Sequence, residues 1–201
     1  VLPTRENAAK EEQKRNEELL QKNLKSKVNR HHQNFLNKWW LLSYPRAELI
    51  EKLNELSRYI VCSRVTKRPI FEFIDFRIRP SDALQVFLLS DDYSFGILQS
   101  DIHWQWFTTR CSTLTARFRY TSDTVFDSFP FPQNPKLSQV KKVALAAVKL
   151  RQLRQELTTE HKLSLRELYR TLELPGQNPL RKEQEQLDKA VRQAYGMEAT
   201  E

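Results

Sequence analysis

The middle of the chain is organised around residues 94–106, which read SFGILQSDIHWQW. A short run of aromatic, glycine and aliphatic residues comes first, and three polar residues separate it from a segment that contains His103 and Trp106. Short apolar runs bounded by polar residues are typical of buried strands. We therefore predict a strand, a turn and then a short helix through His103 and Trp106 between residues 93 and 107.

Further strands are predicted on the N-terminal side of this stretch. Residues 59–62 (YIVC) and 86–89 (VFLL) are short apolar runs, and residues 71–79 (FEFIDFRIR) alternate between apolar and polar side chains. Alternation with a period of two is typical of half-buried strands. A helix is predicted before them, because a proline suited to a first helical turn precedes apolar residues at helical spacing: Pro45, then Leu49, Ile50, Leu53 and Leu56.

The last third of the chain has the pattern of helices. Three prolines mark its beginning, Pro130, Pro132 and Pro135. The apolar residues that follow line one face of a helix: Val140, Val143, Ala147, Leu150, Leu153 and Leu157. Ser164 and Glu167 have the spacing of a capping box for a second helix, and Asn178 with Pro179 is typical of the start of a third.

These patterns predict an α+β protein in three parts. Residues 6–30 are rich in Glu, Lys, Gln and Asn, which favours a long exposed helix that rests on a partner domain, with a frayed tail as the alternative. The predicted division is an N-terminal helical linker at residues 1–33, a strand-containing domain at residues 34–133 and a helical segment at residues 134–201.

The charge of the chain is basic, with 33 Lys and Arg against 25 Asp and Glu and a net charge of +8. Such an excess favours an anionic partner, although a basic solvated surface is common. The cations are concentrated between residues 58 and 79, where two carboxylates accompany six of them: Arg58, Arg64, Lys67, Arg68, Arg77 and Arg79.

Several chemistries do not fit this composition. Cys62 and Cys111 are too few for a disulfide framework and fit no zinc spacing, and three glycines cannot build a glycine-rich phosphate loop. No apolar run has the length of a membrane span or a signal peptide, so we expect no membrane partner. The low cysteine content favours a reducing, cytoplasmic location. His103 is either a general base or, as we favour, a packed structural histidine. The chain itself is therefore predicted to be non-catalytic and without a metal site.

Four blocks in a fixed order carry a resemblance to a known family. After residues 94–106 come residues 113–121 (TLTARFRYT), residues 125–132 (VFDSFPFP) and a closing helix that ends near Gly196. In this order they resemble the C-terminal region of MmeI-like restriction–modification methyltransferases and of related large adenine-specific DNA methylases. The resemblance spans residues 59–196.

The resemblance implies a division of labour. In such enzymes of bacterial defence, an upstream domain binds S-adenosylmethionine and methylates adenine at N6 after flipping it out of the duplex. A downstream domain, followed by helices, selects the DNA site. This chain corresponds to the downstream part and begins with Val1, so we expect a fragment whose partners are double-stranded DNA and the catalytic methyltransferase domain. S-adenosylmethionine is implied for the parent enzyme and no cofactor for the fragment.

The resemblance also places a pair of base-reading residues, Thr115 and Arg117. An arginine can fork onto O6 and N7 of guanine, and a threonine can contact a thymine methyl group or a base edge. The alternative is that Arg117 belongs to a solvated strand face. Contacts to phosphates, which position a protein without reading sequence, are predicted for six further residues: Arg64, Lys67, Arg68, Arg77, Arg79 and Arg119.

We predict that the chain recognises a specific sequence of double-stranded DNA, as the target-recognition fragment of an N6-adenine DNA methyltransferase. One alternative is a non-catalytic protein–protein interaction module with a helical docking tail, and another is RNA binding through aromatic residues, for which no module motif is present. Four aromatic residues are assigned to packing rather than to base stacking: Trp104, Trp106, Phe129 and Phe131.

Overall fold

The computed structural model describes residues 2–39, 46–114 and 117–197, without the side chains of residues 113, 114 and 117. Contacts divide the chain into two compact units, Val1–Ile50 and Glu51–Glu201. The second unit combines helices with antiparallel strands, which confirms the predicted α+β class. The three predicted domain ranges stay predictions. In the described ranges, no helix combines the length and the apolar character that crossing a membrane requires.

Residues 2–39 of the first unit form two helices instead of the single long helix predicted for residues 6–30. Helix α1 (Leu2–Lys22) ends early, and the chain turns back into helix α2 (His31–Leu36). The carboxylate of Glu12 accepts hydrogen bonds from two N–H groups in the first turn of α2, at 3.0 Å each. Glu12 therefore caps α2 from a position 20 residues away, which no local pattern indicates.

A three-stranded antiparallel sheet begins the second unit, after helix α3 (Ala47–Asn54). Its order is β2-β1-β3, with β1 at Arg58–Ser63, β2 at Glu72–Asp75 and β3 at Leu84–Phe87. The strand predicted at residues 59–62 is confirmed. The alternating pattern after β2 does not continue the strand, because the carboxylate of Asp75 accepts a hydrogen bond from the N–H of Arg77 (2.9 Å) and closes a turn.

A second, two-stranded sheet extends the first. Strand β4 (Ser112–Leu114) pairs with β5 (Arg117–Arg119), and β5 lies beside the chain that leaves β1. On this side, the N–H of Tyr120 donates a hydrogen bond to the carbonyl of Arg64 (2.7 Å). The β4–β5 hairpin is therefore joined by backbone hydrogen bonds to the continuation of the central strand.

Residues 94–98 are helical, so the strand predicted there is wrong. Helix α4 (Asp92–Gln99) is followed after one residue by helix α5 (Asp101–Arg110), whose N-terminus is capped by the hydroxyl of Ser100. The helix predicted around His103 is confirmed as α5. From its third residue onward every side chain of α4 is buried, so its apolar run has no polar face from which a helical period could be recognised.

The C-terminal segment consists of helices α6 (Leu137–His161), α7 (Leu165–Arg170) and α8 (Pro179–Ala194). The capping box predicted for α7 and the Asn-Pro start predicted for α8 are both confirmed. Helices α6 and α8 pack against α4. Helices α4 and α6 approach each other closely at Gly96, where an added Cβ would lie 2.7 Å from Cγ1 of Val143 on α6. Gly96 therefore lets α4 sit deep in the core between its two helical neighbours.

Candidate nucleic-acid interface

In the sequence, the two predicted base-reading residues, Thr115 and Arg117, follow strand β4. Leu114 and Arg117 are partners in the antiparallel ladder. Thr115, between them in the chain, lies outside the described residues, as does the side chain of Arg117. The backbone of Arg117 begins strand β5, which is held against the continuation of the central strand. The backbone of Arg117 therefore belongs to a supported strand.

The six predicted phosphate contacts fall into two groups at opposite ends of β1. The first group lies where the chain leaves β1 and pairs with β5, and its members are called the hairpin-side cations: Arg64, Lys67, Arg68 and Arg119. The second group, Arg77 and Arg79, lies in the turn after β2, next to the beginning of β1. A strand of six residues separates the two ends, a distance of roughly 20 Å.

The second group is engaged in contacts within the protein. Arg77 forms an exposed ion pair with Asp75 (2.9 Å), and this hydrogen-bonding guanidinium lowers the pKa of the Asp75 carboxyl to about 2. Arg79 donates hydrogen bonds to the carbonyl of Phe76 (3.0 Å) and to the side chain of Asn54 (2.8 Å). The charge of Arg77 is therefore compensated, and Arg79 holds the turn in place.

The hairpin-side cations differ in how they are held. Arg64 donates a hydrogen bond to a backbone carbonyl in the β2–β3 connection (3.1 Å), and Lys67 is exposed. The guanidinium carbon of Arg68 lies 4.7 Å from the ring centroid of Trp104. Trp104 was assigned to packing, yet 38% of it is exposed, and it is part of this basic surface.

The other three aromatic residues assigned to packing do pack. Phe129 is buried, and Phe131 lies partly buried against the same cluster. Trp106 is half-buried and donates its indole N–H to the carbonyl of Val125 (3.0 Å). The rings of these three residues therefore pack in the core of the second unit.

His103 lies in the core of the second unit. Its ring is fully buried, its Nε2 is 2.9 Å from the hydroxyl of Tyr120, and the rings of Phe71 and Phe129 pack edge-on against it. Burial lowers the pKa of His103 to about 3, against an opposing contribution from the backbone of Leu98. A neutral, enclosed imidazole fits the structural interpretation and leaves no access for a substrate.

Several charged residues that sequence reasoning missed join the sheet to helix α6. Asp92 accepts hydrogen bonds from Arg58 (2.9 Å) and Arg151 (2.7 Å), and both guanidiniums lie over the ring of Phe73, at 3.8 and 4.5 Å. Arg154 is 2% exposed and lies on the apolar face of α6. That position on an otherwise apolar face is the signal that could have indicated a buried arginine.

Comparison with known proteins points to the same region. The family model described as "MmeI, target recognition domain" matches residues 54–133, the range that contains the five strands of the described residues together with α4 and α5. A solved structure, described as that of the Type IIL restriction-modification enzyme MmeI in complex with DNA, matches with a TM-score of 0.70 and 24% identity. No curated protein matches the chain.

The structural match covers 88% of this chain and 22% of the MmeI chain, so this chain spans about a fifth of that enzyme's length. At this identity the likeness shows a shared fold. The family match confirms the resemblance stated from the sequence, for residues 54–133.

Proposed function

We propose that the chain recognises a specific sequence of double-stranded DNA, as the target-recognition part of an N6-adenine DNA methyltransferase in a cytoplasmic restriction–modification system. The observation that carries the proposal is the match of residues 54–133 to a target recognition domain, over the region that bears the hairpin and its cations. The structural relative is an enzyme in complex with DNA, which supports duplex DNA as the partner. Methylation is assigned to the catalytic domain of such an enzyme.

In this proposal the hairpin reads bases, and its surroundings bind the backbone. Arg117 donates to O6 and N7 of a guanine, while Thr115 contacts a thymine methyl group or a base edge. The hairpin-side cations bind phosphates next to the base contacts and set the register without reading sequence. Arg77 and Arg79 bind a more distant part of the backbone.

S-adenosylmethionine belongs to the catalytic domain in this proposal, and the residues of this chain do not fit it. Gly96 is packed inside α4 against Val143, while Gly176 and Gly196 follow helices with φ angles of 106° and 72°. These three glycines are far apart in the sequence, so they cannot form a glycine-rich loop around a cofactor. No methyl-transfer step is derived from this chain.

Binding of duplex DNA to the folded chain across a salt series tests the proposal. Each neutralised phosphate contributes about −0.9 to the slope of log affinity against log salt. The four hairpin-side cations alone therefore lead us to expect a slope of about −3.6, and contacts by Arg77 and Arg79 make it steeper. A protein–protein interaction module would bind duplex DNA without this salt dependence or fail to bind it. Circular dichroism of the same sample verifies that the chain is folded.

Arg117→Ala is expected to relax the preference at one base pair. Two hydrogen bonds to a guanine are lost, which costs about 1–3 kcal/mol on sequences that carry that guanine. The measurement is selection of bound duplexes from a randomised pool. Arg77→Ala serves as the control and should leave the preference unchanged, since a contact to the DNA backbone does not read sequence. Equal weakening on every sequence would make Arg117 a phosphate contact.

A further inference from the structure

The guanidinium of Arg68 lies close to two aromatic rings from different helices. Its guanidinium carbon lies 4.7 Å from the ring centroid of Trp104 on α5 and 5.4 Å from that of Tyr169 on α7. Both distances are within the range in which a ring face attracts a guanidinium. An arginine side chain normally samples many rotamers, and this arrangement restricts it. We call the three residues the Arg68 clamp.

Both rings of the clamp are fixed by the core behind them. Tyr169 is 6% exposed, and its hydroxyl accepts a hydrogen bond from the buried Arg154. Trp104 lies on the outer face of α5, whose inner face buries His103 and Phe107 completely. Because neither helix can rotate without exposing these buried groups, the two rings form a rigid seat for Arg68.

The backbone of Arg68 is tied to the hairpin. The hydroxyl of Thr66 donates to the carbonyl of Arg68 (2.7 Å) and accepts from its N–H (3.3 Å). The N–H of Thr66 donates in turn to the carbonyl of Phe118 in β5 (3.1 Å). Phe118 directly follows Arg117. The clamp and the predicted base-reading arginine are therefore held in one hydrogen-bonded piece of backbone.

The guanidinium of Arg68 keeps its N–H donors available. Within the described part of the chain it makes no hydrogen bond or ion pair, whereas Arg64, Arg77 and Arg79 donate to protein atoms. A cation–π contact occupies none of the five N–H donors of a guanidinium, so the N–H groups of Arg68 can still bind an anion. Two of these N–H groups match two oxygens of one phosphate.

We propose that Trp104 and Tyr169 are positioning residues that hold Arg68 ready to bind one DNA phosphate beside the base-reading hairpin. The inference rests on the proposed function and adds helix α7 of the C-terminal segment to the DNA interface. Pre-orientation reduces the rotamer entropy that a free arginine loses on binding. The clamp thus raises affinity without contributing to the choice of sequence.

The test measures duplex affinity and its salt dependence for Arg68→Ala, Trp104→Ala and the double variant. Trp104→Ala is expected to weaken binding roughly two- to fivefold on every sequence, which corresponds to an exposed cation–π contact. Arg68→Ala is expected to reduce the steepness of the salt slope by about one. The double variant should bind no more weakly than Arg68→Ala, because the ring acts through the guanidinium alone.

Two further substitutions separate positioning from packing. Trp104→Phe keeps an aromatic face and should retain most of the affinity. Trp104→Leu keeps an apolar side chain without a π face and should behave like Trp104→Ala. Losses that multiply in the double variant, or equal affinity of the Phe and Leu variants, would overturn the inference.

The inference and the proposed function fail in different ways. A folded wild-type chain that binds no duplex would contradict both of them. A wild-type chain that binds with a steep salt slope, but is indifferent to Trp104→Ala, would contradict the clamp alone. Lys182→Ala removes an exposed cation from α8, outside the proposed interface, and should leave affinity and slope unchanged.

Discussion

Arg154→Ala is expected to lower the free energy of unfolding by about 3–5 kcal/mol, because packing and hydrogen bonds are lost together. The side chain is 2% exposed, between helix α6, helix α7 and the chain that enters β2. Its Nη1 donates to the carbonyl of Phe71 (3.0 Å), and its Nη2 donates to the hydroxyl of Tyr169. The substitution leaves a cavity and removes a donor from two buried oxygens.

Urea unfolding followed by circular dichroism measures this loss. Arg166→Ala is the matched control, since it removes the same charge from an exposed position on α7 and should change stability by less than about 0.5 kcal/mol. Arg154→Met keeps an apolar side chain of similar length without the donors, and it should fall between the wild type and Arg154→Ala. A loss below about 1 kcal/mol for Arg154→Ala would show that the buried guanidinium is not needed.

Acidification is expected to change the free energy of unfolding through two buried groups, His103 and Asp188, whose effects have opposite signs. Burial lowers the pKa of His103 from 6.5 to about 3. In the window between these values the unfolded chain binds a proton that the folded chain does not. The stability that depends on the neutral imidazole is therefore complete above pH 6.5 and is lost as the pH falls through this window.

Asp188 titrates in the opposite direction. Its carboxylate accepts hydrogen bonds from the N–H of Asp101 (2.9 Å) and from the side chain of Gln184 (3.0 Å), where α5 meets α8. Burial raises the pKa of Asp188 from 3.8 to about 6, and the neighbouring Asp101 carboxyl adds to the increase. Between these values the folded state binds the extra proton, so stability falls as the pH rises.

The effects of His103 and Asp188 on stability oppose each other near pH 5. A substitution of either residue should therefore leave the effect of the other one visible. Compared with the wild type, Asp188→Asn should lose about 1.4 kcal/mol more stability per unit of acidification, and His103→Gln should lose about that much less. Urea unfolding between about pH 4 and pH 6 gives these slopes. Because the slopes are compared, a general loss of stability in His103→Gln does not affect the result. Parallel profiles for all three proteins would refute the assignment.

Features that depend on neighbouring residues were predictable from the sequence. The capping box of α7, the Asn-Pro start of α8 and the apolar face of α6 are each formed by side chains a few residues apart. Strand β1 is a short apolar run of β-forming residues, and it was found for the same reason. The resemblance singled out residues 113–121, and this block contains strand β5, which begins at Arg117.

The sequence by itself determined these local elements and the basic character of the surface, while the tertiary structure decided what each buried segment and each cation does. Helix α4 was mistaken for a strand because it is covered on all sides and shows no periodicity. In the sequence, Arg77, Arg68 and Arg154 look like equivalent cations. The fold pairs the first with a carboxylate, places the second within cation–π distance of two rings and buries the third. The free energy of a charge depends on the groups that surround it, and here those groups come from distant parts of the chain.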